Sequence, residues 1–266
     1  MTADRVTAAF RVANAEGRAG LVIYLPAGFP DLDTSLACLA AAAEAGADVL
    51  EVGFPFSDPM MDGPTIQAAN QVALDQGFSV DDDFDVCRKL TAQVEVPCLP
   101  MTYVTIADVR GYGAFAADCA NAGLDGVILP DLPADEADPW VAAARQHGLA
   151  TVFLASSVST DERLEAISSV ATGFVYAAGL LGVTGVKDVA QDDTRVLVGR
   201  VREHTDLPVA VGIGVKTADD ARAVAGYADG VIVGSAAVNA VADGPATSAP
   251  DRVRELVADL RTGCQR

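Results

Sequence analysis

Histidine is nearly absent from the chain, with only His147 and His204 in 266 residues. A multi-histidine metal centre is excluded by count. Lysine is almost as scarce: Lys89, Lys187 and Lys216 are the three among 18 basic side chains. Lys89 reads as helical, and the other two fall in loops just past apolar runs. Schiff-base chemistry therefore has no strand-borne amine to use. Five cysteines (Cys38, Cys87, Cys98, Cys119, Cys264) are odd in number and show no C-x-x-C spacing. Neither a disulfide framework nor a zinc knuckle is expected, and a reducing compartment is the default. No stretch approaches the ~20 unbroken apolar residues of a membrane span. The first 20 residues lack the apolar centre of a signal peptide. The expectation is a cytoplasmic protein with no metal.

Positive charge is also short. Eighteen basic against 37 acidic side chains leave a net charge of −19. Such a field repels nucleic acid and anionic lipid, so neither is an expected partner. A phosphorylated small molecule would have to be held largely by backbone N–H groups.

What is present is a repeating unit. A short apolar run is followed by a Gly, Pro or Asp turn and then an Ala-rich amphipathic stretch. The runs begin at Leu21, Asp48, Val96, Gly126, Ala150, Gly173, Pro208 and Gly230. They are continuous rather than alternating, as in parallel strands covered on both faces. Eight such units in about 250 residues fit an α/β (β/α)8 TIM barrel, taken as one domain over residues 1–266. The first residues read as an extra N-terminal helix closing the barrel floor. A doubly wound sheet is the rival, but LVIYLPAGFPDL lacks the G-x-G-x-x-G turn it would need.

In a (β/α)8 barrel the chemistry sits at the carboxyl ends of the strands. The second run ends in EVGFPFSDPMMDGPTIQ. Glu51 lies between Leu50 and Val52, where a carboxylate is costly unless it faces the mouth or pairs with an arginine. Asp62 precedes GPTIQ and suits either a helix cap or chemistry. The last three runs end in GLLGVTG, VGIGV and VGSA. Glycines there let backbone N–H groups approach an anion, although each could also be a tight turn. With lysine and metal chemistry excluded, cofactor-free acid/base work by carboxylates on a phosphorylated substrate remains.

These segments resemble a known family. LEVGFPFSDPMMDGPTIQ is similar to the second-strand signature of the tryptophan synthase alpha subunit. LPAGFP, PDLP, GVTG, GIG and VGSA follow in the family's order, nearly end to end. The resemblance implies retro-aldol cleavage of indole-3-glycerol phosphate to indole and glyceraldehyde 3-phosphate. It implies Glu51 as general acid/base and Asp62 as partner of the indole N–H. Tyr176 and Thr184 would place these two. Tyr24, Met101, Ile128, Ile213 and Ile232 would wall the indole pocket, although Met101 and Ile128 also suit plain core. Gly185, Gly214, Gly234 and Ser235 would hold the phosphate. No cofactor is implied, and the implied partner is a beta subunit in an alpha2-beta2 type assembly. Two alternatives are a stand-alone indole-releasing lyase of secondary metabolism and a non-catalytic chain that activates a beta-type partner. Two departures stand out. Tyr103-Val104-Thr105-Ile106 replaces the usual Tyr-x-Asn-Pro in the loop that contacts the beta subunit. Gly179 replaces a serine before Gly-Val-Thr-Gly.

Overall fold

The computed structural model describes residues 2–179 and 187–266. Eight parallel strands close into a barrel in chain order: β1 (Gly20–Pro26), β2 (Val49–Gly53), β3 (Cys98–Met101), β4 (Gly126–Ile128), β5 (Ala150–Ser156), β6 (Val175–Ala178), β7 (Val209–Gly212) and β8 (Gly230–Val233). Seven of the apolar runs singled out in the sequence contain their strand whole, and β1 starts one residue ahead of its run, at Gly20. The ring shuts where β8 pairs with β1, Gly20 against Gly230 through Ile23 against Val233. No edge strand is left open.

Helices wrap the ring: α1 (Thr2–Ala15), α2 (Leu32–Glu44), α3 (Pro64–Asp75), α4 (Val80–Thr91), α5 (Val104–Arg110), α6 (Tyr112–Asn121), α7 (Asp138–Gln146), α8 (Asp161–Val170), α9 (Lys187–Arg202), α10 (Ala218–Ala225), α11 (Ser235–Ala242) and α12 (Ala249–Gly263). Their starts follow from local chemistry. Asp31, Ser79, Thr160 and Thr217 each accept a backbone N–H from the first turn of the helix they precede, satisfying a donor with no partner inside the helix. The stretch ADVRGYGAFAADCANAG, which reads as one helix, is two. Gly111 breaks it at φ +82°, a left-handed conformation that costs glycine nothing.

The core has two shells. Inside the barrel, Val22, Val49, Leu99, Ile128, Val152, Phe174, Ala210 and Ile232 form one buried cluster. A larger one fills the space between strands and helices. The expected extra helix is α1, whose Val6 and Phe10 belong to the inner cluster. Phe10 lies where a side chain on Gly20 or Gly230 would go, so only glycine at both positions admits the ring. Beneath β1 and β2, Asp48 accepts from Arg18 at 2.6 and 2.8 Å, from Arg261 at 3.2 Å and from the Leu21 N–H at 2.8 Å. One carboxylate thus fixes the first two strands and α12. Among the described residues, no helix is long and apolar enough to cross a membrane.

Candidate active site

The second strand carries Glu51 inward. Leu50 and Val52 join the outer core, and side chains alternate along a strand, so Glu51 faces the barrel interior, 1% exposed. It stands beside Tyr24 in the β1–β2 ladder and beside Leu99 in the β2–β3 ladder. Its Oε1 has no hydrogen-bond partner, and among the described residues no ion pair reaches it. The arginine-pair reading of this acid is not realised. Burial alone pushes its carboxyl up to about 8, because low-dielectric surroundings disfavour the charge. Glu51 is therefore protonated at neutral pH.

Asp62 is held differently. It lies on the loop between β2 and α3, and α3 is capped by Gly63 without a side-chain hydrogen bond. The capping role that the sequence left open is not used. Instead the Tyr103 hydroxyl donates to Asp62 Oδ2 at 3.2 Å, with Asn70 Nδ2 3.5 Å away. Burial raises this carboxyl to about 6, and the Tyr103 hydrogen bond pulls it back. Near pH 7 it is mostly ionised.

Both acids act on the same two phenols. Tyr176 on β6 and Tyr24 on β1 are pushed upward by burial first, and then by the charges of Glu51 and Asp62. The four side chains thus converge within the mouth. Two glycines make room for the rings: a Cβ on Gly212 would stand 2.5 Å from the Tyr176 hydroxyl, and one on Gly53 would strike the Tyr24 ring. The result is a neutral acid and an anionic one with separated pKa values, the pattern that divides proton transfer from charge stabilisation.

The remaining positions fall around this centre. Met101, half-buried, pairs with Gly53 and Ile128 at the ends of β2, β3 and β4. Ile128 and Ile232 are fully enclosed in the inner core. Ile213 follows β7 and packs against Gly179, where an added Cβ would meet its Cγ2 at 2.8 Å. Gly214 comes next with φ +77°. Gly234 caps α11 without a side-chain hydrogen bond, and Ser235 is the first residue of that helix. The N–H groups of its opening turn have no capping side chain, as an anion site requires. Thr184 and Gly185 lie outside the described residues.

Sequence reasoning missed Tyr103 and Asn70. Tyr103 follows the end of β3, so the rule that strand ends carry chemistry would have found it. Asn70 gives no such signal: it sits two turns into α3, eight residues past Asp62. A cleft of about 520 Å3 opens between β5 and α8, touching the mouth at Met61. Neither acid lines it, so convergence of the acids, not cavity size, locates the site.

Known proteins share this architecture. The family model for the tryptophan synthase alpha chain matches residues 10–265. The tryptophan synthase alpha chain of Streptomyces coelicolor is 48% identical over 252 residues, spanning 94% of this chain and 93% of its own. That of Salinispora arenicola is 48% identical over 261 residues, spanning 98% and 97%. A chain in the structure of Mycobacterium tuberculosis tryptophan synthase superposes with a TM-score of 0.91 at 43% identity, covering 98% of each. The tryptophan synthase subunit alpha of Legionella pneumophila gives 0.89 at 31% identity, again covering 98% of each. With an eight-stranded barrel, a buried glutamate on its second strand and this match over nearly the whole length, the chain belongs to the tryptophan synthase alpha chain family.

Proposed function

We propose that this chain cleaves indole-3-glycerol phosphate to indole and glyceraldehyde 3-phosphate. The observation that carries the reading is the separation of the two acids: Glu51 held neutral at about 8 and Asp62 at about 6, facing the same tyrosines. Breaking the carbon–carbon bond needs a sink for its electrons. Protonated Glu51 delivers a proton to C3 of the indole ring, which makes the ring nitrogen cationic. Asp62, ionised, faces that N–H and stabilises the charge. The Glu51 carboxylate then takes the proton of the glycerol hydroxyl. The C3–C1′ electrons return to the ring, the oxygen keeps its pair as an aldehyde, and Glu51 ends protonated as it began. No cofactor enters this cycle. Tyr24 and Tyr176 enclose the acids, and Met101, Ile213 and Ile232 border the ring site. The N–H groups at Gly214, Gly234 and Ser235, together with Gly185, receive the phosphate.

The partner in this reading is a beta subunit. The face assigned to it by resemblance carries an apolar groove of about 360 Å3 lined by Phe56, Val80, Ile106 and Val109. Val109 is 83% exposed. The cytoplasm suits a chain whose five cysteines are free and buried. Indole release by the purified chain, measured with and without a beta subunit, tests the proposal. Release that accelerates on addition supports it. Release indifferent to the beta chain would leave a stand-alone lyase, and no release under either condition would leave only a role in activating a partner.

A further inference from the structure

We infer that Tyr103 is a positioning residue for Asp62: its hydroxyl clamps one carboxylate oxygen and the loop backbone beside it. The inference rests on the proposed reading of Asp62 as partner of the indole N–H.

Hydrogen-bond accounting leads there. The phenol has one proton, and an ionised carboxylate can only accept. The Tyr103 O–H therefore donates to Asp62 Oδ2 at 3.2 Å, while the Met61 N–H donates to the same phenol oxygen at 2.9 Å. The two bonds close a small ring through consecutive loop residues, and donation into the hydroxyl oxygen strengthens its own donation onward. Asn70 Nδ2 approaches the same Oδ2 at 3.5 Å. Both described side-chain contacts of Asp62 thus fall on Oδ2, which fixes the carboxylate by one edge.

The clamp is anchored on the rigid side. Tyr103 is 6% exposed, and its ring stacks on Phe56 at 4.9 Å with 22° between planes. The Thr102 N–H donates to the Ile128 carbonyl, and the Val104 N–H to Asp131 Oδ1 at 2.8 Å. Both residues flanking Tyr103 are thus pinned to β4 and the loop after it. The backbone bonds of Asp62 stay local: its N–H donates to the Pro59 carbonyl at 3.1 Å and its carbonyl accepts from Gln67 Nε2 at 2.8 Å. Asp62 follows Met60, which is 87% exposed, on a stretch with Pro59 and Gly63 at its ends. A side chain fixed to the barrel holds one carried on a loop, which is what a reacting group needs to stay within a fraction of an ångström of its task.

Among the described residues, Tyr103 makes the hydrogen bond that lowers the pKa of this carboxylate. Tyr24 faces Asp62 from β1 and Tyr176 from β6. Glu51, on β2, is neutral at pH 7, and Asp131, which accepts from the Val104 N–H, acts on Tyr103. Hydrogen bonding to the ionised form favours it, so loss of the phenol oxygen moves Asp62 toward protonation.

Tyr103→Phe removes one oxygen and keeps the stacked ring. The acid limb of kcat/KM against pH should move upward by about one pH unit. The ratio of wild type to variant should then be roughly eightfold at pH 5.5 from the shift alone, approach tenfold at lower pH, and narrow toward pH 7.5. A purely structural loss would lower both limbs by a constant factor. Carbon-13 titration of the Asp62 carboxyl, assigned by its disappearance in Asp62→Asn, reads the same effect without turnover. That keeps the inference separate from the activity: a wild-type chain that releases no indole defeats the reading of function, while the titration still reports on the clamp. A midpoint unchanged by Tyr103→Phe, or profiles that stay parallel, would overturn the inference. A variant that fails to fold by thermal unfolding would be replaced by Met61→Pro, which removes the N–H behind the hydroxyl and should move the midpoint in the same direction; no movement there would overturn it equally.

Discussion

Replacing Glu51 by glutamine should make the protein inactive and more stable at once, with the gain in stability growing as pH rises. Unfolded, the glutamate ionises near 4.5; folded, it does so near 8. Between these values the folded chain binds a proton that the unfolded chain does not, so the native state loses stability steadily as pH climbs through this window. Glutamine has nothing to titrate. Relative to wild type, the variant should gain almost nothing below pH 4.5, roughly 3 kcal/mol at pH 7 and about 5 kcal/mol above pH 8. The extra amide N–H finds no provided acceptor and takes back about 1–2 kcal/mol throughout. Urea unfolding of both proteins at pH 5, 7 and 8.5 measures the slope. Indole release measures the other half: with proton donation and removal assigned to one group, kcat should fall at least ~10³-fold. A stability difference that stays flat with pH would refute the neutral, buried carboxyl. A variant that retained near-normal turnover would refute its catalytic role.

With substrate, kcat/KM should rise through about pH 6 as Asp62 ionises and fall through about pH 8 as Glu51 loses its proton; a profile flat across that range would contradict the assignment of the pair. Gly212→Ala should displace the Tyr176 hydroxyl, which lies 2.5 Å from the position of the new methyl, and cut turnover by about 10-fold or more while leaving overall helix content unchanged by circular dichroism. Arg18→Ala removes the donations at 2.6 and 2.8 Å to Asp48 and leaves that carboxylate with Arg261 and the Leu21 N–H. It should cost about 2–4 kcal/mol in denaturant unfolding with kcat preserved.

The strands were legible because burial on both faces writes an unbroken apolar run, and the structure finds a strand in each of the eight. Glu51 was legible for the same reason, as a charge between Leu50 and Val52 in such a run, and it is the one charged residue within the eight strands. Helices with thin apolar faces were harder to see. In α3 the buried positions are Ala69, Asn70 and Ala73, too little hydrophobicity to set a period, and α11 is only eight residues, SAAVNAVA, too short for its period to stand out behind the glycine turn. Asp62 stayed open between cap and chemistry because the deciding fact is three-dimensional: the hydroxyl that claims its oxygen comes from 41 residues away in the chain. Tyr103 was visible only as part of a departing tetrapeptide, since nothing local to it states that it leans back over the loop after β2.

The aromatic plug beneath the barrel ties its first helix to its closing seam. Phe10 stands where side chains on Gly20 and Gly230 would go, at the strand starts where β8 meets β1. A larger residue at either position would drive the ring out and loosen the hold of α1 on the inner core, so a defect at the seam would be felt first as a detached N-terminal helix.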